Sequence, residues 1–504
     1  MRKNNIHIHE LIQLMGKNEK RYLKLFIKRY PGVENNKAMK LFDHLSGDEE
    51  HARQAVTGKR PDRTAAYLQD MIIKGMVAYR SGYSVKVQLR NFISFAELLI
   101  EKGAYRAAER ILKRAAKMAF KAERFNEAIN IIECRQRILP AKGILKDFEK
   151  KFVKLAEEKK LLLKKINNID EYRVLSYRLS YILVTKGLVP REQRDISKIK
   201  ALMKNPLLKN KNTALSGHAM IFYHYIYSTY YYITSNTEAE HASTLRLARL
   251  FEAFPTLLEV ELFWYIVALN NIMDSSLRQK RYDEFMESLE RLKALPSKVK
   301  TTDIGKYRII ARSQNLLLSL YIQKGEFEKG LGLVPSILED LKKHGGKVET
   351  LRLVEFYHRL SILYFAAGKY DEAKRWTYKI LNMPGEGTRD DLQSLSRIML
   401  LIIHLETDNK DQIDSIALNT FRYLSKRKLF FRFEKIMLRF TGKILPQMHT
   451  EKDLRASFRE MRKELQALAE DPFERRVFQY FDFISWLDSK IENRPFAEVV
   501  RKKA

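Results

Sequence analysis

One cysteine, Cys134, stands in 504 residues. It rules out an internal disulfide framework and any Cys-rich zinc site, and a reducing compartment, the cytoplasm, is the expected location. Glycine and proline are also scarce, at 20 and 12 residues, about half the usual share. That shortage excludes collagen-like and low-complexity chains and argues against an all-β fold, which needs many more turn residues. Acidic residues are outnumbered as well: 61 Asp and Glu face 93 Lys and Arg, for a formal charge of +32. A continuous apolar run of membrane length is lacking too. The longest uncharged stretch, Asn212–Thr237, is long enough to span a bilayer. Between His218 and Thr234, however, it carries two His and six Tyr in place of the Leu, Ile and Val of a span. Behind Met1–His9 there is no apolar run of signal-peptide length, so no membrane association is expected.

What is present is a hydrophobic content of 45%, laid out almost everywhere at helical spacing, with little period-2 alternation. Short breaks rich in Gly, Pro, Asn or Ser fall near Pro140–Gly143, Gly187–Pro190, Asn205–Thr213, Ser235–Thr237, Leu295–Asp303, His344–Lys347, Pro384–Asp390, Pro446–Thr450 and Asp471–Pro472. This punctuation predicts many helices of ordinary length joined by short loops.

Internal copies sharpen the picture. The run from Leu360 through Tyr364, Gly368 and Tyr370 to Ala373 is repeated 43 residues earlier from Leu317 through Tyr321, Gly325 and Phe327 to Gly330. Another copy runs from Phe95 through Leu99, Gly103 and Tyr105 to Ala108, and a weaker one covers Lys280–Phe285. Gly lets the chain turn between two helices without a Cβ clash. The aromatic two residues on plugs the corner, and the small residue after it lets the helices approach.

These residues resemble the tetratricopeptide (TPR) repeat. Tyr357, Leu360, Tyr364, Gly368, Tyr370 and Ala373 fill its places in order, with Pro384 near its terminal proline, and Phe92, Phe95, Leu99, Gly103, Tyr105, Ala108 and Ala115 fill them in the earlier copy. The spacing of 43 to 45 residues departs from the family's value of about 34, and Gly330 replaces Ala, so the repeats are degenerate and their helices long. The whole chain is similar to bacterial proteins of this TPR-like kind, a likeness that implies a fold and no activity. The expected architecture is all-α, a right-handed α-solenoid of TPR-like helix pairs with capping helices at both ends. Its expected parts are a basic helical module over 1–90, repeats with a long basic helix over 91–215, further repeats over 216–445 and capping helices over 446–504. Helices are expected around 17–30, 37–45 and 64–80 in the first part. The Tyr-rich run 218–234 is expected to be a helix with its tyrosines in inter-repeat packing.

Motifs for chemistry fail one by one. Gly345-Gly346-Lys347 lacks the upstream Gly and the following Ser or Thr of a phosphate loop, and Gly385-Glu-Gly387 has no third glycine. His9-Glu10 is followed by Gln13 where a zinc protease has its second His, and His218 and His224 fall on different faces of a helix. Cys134 has no nucleophile motif around it and is expected to be a small buried residue. No catalytic, cofactor or metal residue is therefore assigned, and a non-enzymatic protein is expected.

Basic surface remains. Arg106, Arg110, Lys113 and Lys117 recur at helical spacing opposite Ala108, Ile111, Leu112 and Ala115, and are the expected partner-binding residues. Residues 146–165 carry eight Lys against four acids along an apolar seam of Phe148, Phe152, Leu155, Leu162 and Ile166, and 422–463 carries 13 basic residues against four acids around Phe430, Phe431, Phe433 and Phe440. Basic–aromatic interleaving suits single-stranded nucleic acid, but Phe430, Phe433, Met437 and Phe440 also make one helical core face. Near the end, a helix opened by Pro472 and stopped by Asn493–Pro495 carries Phe481, Phe483 and Trp486, as the cap of the array or as a docking contact with a second copy. The leading expectation is a scaffold that binds an acidic protein or peptide. The alternative is a nucleic-acid-binding repeat protein, associated with RNA or the ribosome or acting as a DNA-binding regulator.

Overall fold

The computed structural model describes residues 3–29, 32–46, 63–82, 84–141, 147–186, 193–299, 303–344, 350–383, 389–471 and 474–504. Gly345, Gly346, Pro384, Gly385, Gly387 and Pro472 lie outside them. Among the described residues there are 24 α-helices and no strand. In order they are α1 Lys3–Leu14, α2 Lys17–Lys28, α3 Val33–Leu45, α4 Arg63–Ser81, α5 Val85–Glu101, α6 Tyr105–Lys121, α7 Phe125–Ala141 and α8 Phe148–Lys186. Then come α9 Gln193–Leu202, α10 Gly217–Ile233, α11 Thr237–Ala253, α12 Pro255–Val260, α13 Leu262–Arg278, α14 Tyr282–Lys298, α15 Asp303–Gln323 and α16 Phe327–His344. The last are α17 Thr350–Ala366, α18 Tyr370–Leu381, α19 Asp390–Glu406, α20 Lys410–Lys426, α21 Arg432–Arg439, α22 Glu451–Ala469, α23 Phe483–Glu492 and α24 Phe496–Lys503. Consecutive helices pack against one another. The protein is an all-α helical-repeat protein, and no described helix is long and apolar enough to cross a membrane.

The corners between helices share one backbone geometry. After α5, Gly103 is left-handed (φ 74°), its N–H bonds Ile100 O at 3.0 Å, and the next N–H, of Ala104, reaches back to Leu99 O at 2.8 Å. This pair of bonds satisfies carbonyls the helix end would leave open, and it needs a left-handed residue at the turn. The same pair recurs at Glu123, Ser235, Lys280, Gly325, Gly368, Asp408 and Lys428. The repeat is thus written more in backbone than in glycine. A glycine at Gly103, Gly325 or Gly368 announces its corner, whereas Glu123, Asp408 and Lys428 announce nothing and were not anticipated.

Packing behind the corners also repeats. Ser228 Oγ meets Thr244 Oγ1 at 2.7 Å between α10 and α11, and Ser361 Oγ meets Thr377 Oγ1 at 2.8 Å between α17 and α18. Each serine lies seven residues before its corner and each threonine nine after it. Ala108 and Ala373 are fully buried at the small-residue position. At Gly330 a β-carbon would come within 2.6 Å of Leu363 Cδ2, so glycine replaces alanine where α16 and α17 approach closely.

Contacts divide the chain into two units, residues 1–167 with 299–305, and residues 168–298 with 306–504. The division falls inside α8. In the first unit Ile8, Leu23, Phe42 and Leu68 form the core of a head of four helices, the three anticipated ones preceded by α1, and α5–α7 follow. Leu155 and Leu162 of the anticipated seam in α8 are buried, while Phe152 stays exposed.

In the second unit the tyrosines of α10 pack between elements: Tyr223 lies 6.3 Å from the Tyr172 ring and Tyr225 4.9 Å from Trp264. The final helices fold into the core. Residues 475–479 form a 3₁₀ turn and the α-helix begins only at Phe483. There Asp482 Oδ1 accepts the Ser485 N–H at 2.9 Å, the cap that sets the start. The helix stops at left-handed Asn493 (φ 53°) as expected.

Candidate functional site

Helix α6 shows how composition becomes a surface. Ala108, Leu112, Ala115 and Ala119 bury one side completely, and Arg106, Arg110, Lys113 and Lys117 stand exposed on the other. Intervals of four, three and four keep them on one face. None of the four forms an ion pair with another described residue. Arg114 and Lys121 widen the row, with the Arg114 guanidinium 5.0 Å from the Phe92 ring centre, and Glu109 is the helix's one acid. Six cations thus occupy about 22 Å of helix.

The other basic segments are occupied differently. In 422–463, Phe433, Met437 and Phe440 are fully buried. Arg432 meets Asp471 at 3.2 Å and Arg427 meets Asp390 at 3.4 Å, and Arg439 and Arg462 pair with Glu464 and Asp488. Two of the four phenylalanines of the nucleic-acid signature are therefore used up in the core, while Phe430 and Phe431 are half-buried. Phe481, Phe483 and Trp486 are likewise enclosed. Phe481 packs on Phe365 at 5.5 Å, Phe483 on Phe433 at 4.9 Å and Trp486 on Phe458 at 6.1 Å, and Trp486 Nε1 donates to Glu406 at 2.8 Å. With Trp486 only 1% exposed, this helix acts as an internal cap and offers none of the three side chains to a second copy.

Groups with reactive potential are sealed. No cluster of three or more His, Cys, Asp or Glu arranged to hold a metal occurs among the described residues. Cys134 is buried, and burial, then the nearby Glu97 carboxylate, pushes its thiol up from the usual range. His241 Nδ1 lies 2.7 Å from Ser275 Oγ and its Nε2 2.8 Å from Glu284, the residue order of a hydrolase triad. Ser275 has no exposed surface and its hydroxyl donates to Ile272 O at 2.9 Å, so it presents no nucleophile.

A charged network that the sequence did not reveal ties α17 to α19 and to the segment before α23. Glu355 accepts from Arg389 Nη1 at 2.6 Å and from Arg352 Nη1 at 3.1 Å. Arg389 also chelates Asp391 through Nε and Nη2, both at 2.9 Å, and Asp391 accepts from the Tyr480 hydroxyl. His358 Nε2 sits 3.1 Å from Tyr480 O. Burial opposes every charge here, but Arg389 outweighs it at Asp391, and Arg352 and Arg389 do so at Glu355, holding both carboxyls below their usual range. Burial, with Arg359 and Arg389 nearby, drives His358 down to about 4, so it is neutral. The partners lie 34, 89 and 122 residues apart in sequence, which no local pattern records.

No protein-family model and no curated protein matches the chain.

Proposed function

We propose that this protein is a non-enzymatic, TPR-like repeat scaffold of the cytoplasm that binds an acidic protein or peptide through its basic surface. One observation carries the reading: Arg106, Arg110, Lys113 and Lys117 stand exposed in one row on α6 and form no ion pair with another described residue. Many of the other basic side chains are paired, as Arg432 is with Asp471 and Arg427 with Asp390. On α6 one acid stands among six cations, leaving a charged strip whose natural complement is a row of carboxylates. The enclosure of Ser275, His241 and Cys134 favours recognition over chemistry. Exposed charges are screened by salt, so binding through the strip weakens as ionic strength rises. The test exchanges Arg106, Arg110, Lys113 and Lys117 for Glu and follows a fluorescent oligoglutamate by anisotropy at low salt. Affinity is expected to fall at least about tenfold. Unchanged affinity sinks the reading, and preferential binding of single-stranded RNA, with a linear log–log salt dependence, replaces it with the nucleic-acid alternative.

A further inference from the structure

Charge is one-sided over Ser415–Thr450, which carries eight basic residues and one acid, Glu434. Glu434 is buried and its Oε2 accepts the Phe431 N–H at 3.2 Å, so its charge is spent inside the fold. Three of the cations, Arg427, Arg432 and Arg439, are paired with Asp390, Asp471 and Glu464. The other five, Arg422, Lys426, Lys428, Lys435 and Lys443, stand exposed and form no ion pair with another described residue.

Among these cations an apolar knob is left outside the core. Leu418 is 48% and Phe421 45% exposed. They stand three residues apart on α20, with Arg422 and Ser425 on the same face, away from the buried Ile413 and Leu424. The Phe421 ring lies 5.2 Å from that of half-buried Phe430, crossed at 85°, and Lys435 Nζ stands 5.6 Å from the Phe430 ring centre. The knob thus runs from the last turns of α20, past the left-handed corner at Lys428, to the start of α21, and each of these pieces carries a free cation.

Two kinds of polyanion offer both phosphate and an apolar surface to such a knob: single-stranded nucleic acid and an anionic bilayer. Nucleic acid stacks successive bases on ring faces. Two rings crossed at 85° do not both accept neighbouring bases of one stack, and an exposed leucine offers a base no ring. A bilayer interface takes leucine and phenylalanine alike, while lysine and arginine beside them reach the lipid phosphates. No described helix can cross a bilayer, but a surface contact needs no span. We propose that the α20–α21 corner docks onto an anionic lipid surface, with Leu418 and Phe421 entering the boundary between headgroups and acyl chains and Arg422, Lys426, Lys428 and Lys435 meeting lipid phosphates. This surface is separate from the α6 row, and its occupant does not depend on the acidic partner proposed above.

The test mixes the full chain with sucrose-loaded phosphatidylcholine vesicles, with or without about one-third phosphatidylglycerol, and sediments them. Binding is expected with phosphatidylglycerol alone. Leu418→Ser and Phe421→Ser should each weaken it about tenfold although neither changes the net charge, and Lys426→Gln and Lys428→Gln about fivefold each. The melting temperature of each variant should stay at the wild-type value, because all four side chains are exposed. Phe421→Trp should add a fluorescence that shifts to the blue on vesicles and is quenched by lipids brominated near the headgroup. Absence of binding, equal binding to both kinds of vesicle, or binding indifferent to Leu418→Ser and Phe421→Ser overturns the proposal. If the α6 charge exchange abolishes vesicle binding and Phe421→Trp is not quenched, the bilayer rests on α6 and this assignment falls. If oligouridylate binds where vesicles do not and Phe421→Ser releases it, the occupant is nucleic acid and the lipid assignment falls.

Discussion

The row on α6 and the enclosed network around Arg389 both hold positive charge, and they hold it in opposite ways. On α6 Arg106, Arg110, Lys113 and Lys117 project into water from a helix whose other side is alanine and leucine. These four touch little, and removing them disturbs nothing behind them. At the start of α19 the Arg389 guanidinium is enclosed and bonded both to Glu355 of α17, 34 residues away, and to Asp391, two residues on. Salt screens exposed charges of the first kind and barely reaches enclosed pairs of the second. A formal charge of +32 therefore does not by itself say how the charge is held.

The same kind of mutation should therefore have unequal effects. Arg389→Met leaves Glu355 and Asp391 buried with a partner missing, and should cost about 3–5 kcal/mol in a urea titration. Exchanging all four α6 cations should change stability by no more than about 0.5 kcal/mol in the same titration, and an equal loss in both would erase the distinction. Next in size is an effect of pH. His358 is buried neutral with its pKa lowered to about 4 from 6.5, so below pH 6.5 the unfolded chain takes up a proton that the folded one refuses. The stability tied to this group is complete above pH 6.5 and falls as pH drops towards 4, by about 3 kcal/mol. His358→Gln should flatten that part of the profile, and an unchanged profile would place the histidine outside the enclosed network.

A smaller effect separates conformation from packing at the end of α15 itself. Gly325 and Gly368 have nearly the same φ, 66° and 69°, but a β-carbon at Gly325 would lie 2.9 Å from the Arg501 backbone nitrogen, and at Gly368 it would meet nothing. Gly368→Ala should cost about 1 kcal/mol for the left-handed backbone alone, and Gly325→Ala about 1–3 kcal/mol more. Equal costs would mean that α24 does not hold this corner.

What could be read in advance followed the range of the interactions. Helix content, the corners at Gly103, Gly325 and Gly368 and the α6 row are local patterns of period 3.6 or single glycines, and they were legible. The corners at Glu123, Asp408 and Lys428 were not, because a left-handed turn made from backbone bonds accepts a side chain wherever the space beside it is empty. The start of α23 was misplaced at Pro472 because Asp482, a cap bonded to Ser485, looks like any other surface acid in sequence. The knob of Leu418, Phe421 and Phe430 stayed invisible for a deeper reason. Phe430 and Phe433 belong to one basic, aromatic run, and only the packed structure states which ring is enclosed and which is left outside.

The most direct measurement compares three folded proteins, the wild type, the α6 charge exchange and Arg389→Met, for affinity to oligoglutamate at low and high salt. The account predicts that the α6 exchange lowers affinity at low salt and makes no difference at high salt, while Arg389→Met leaves it unchanged at both. Parallel losses in the two variants would contradict it.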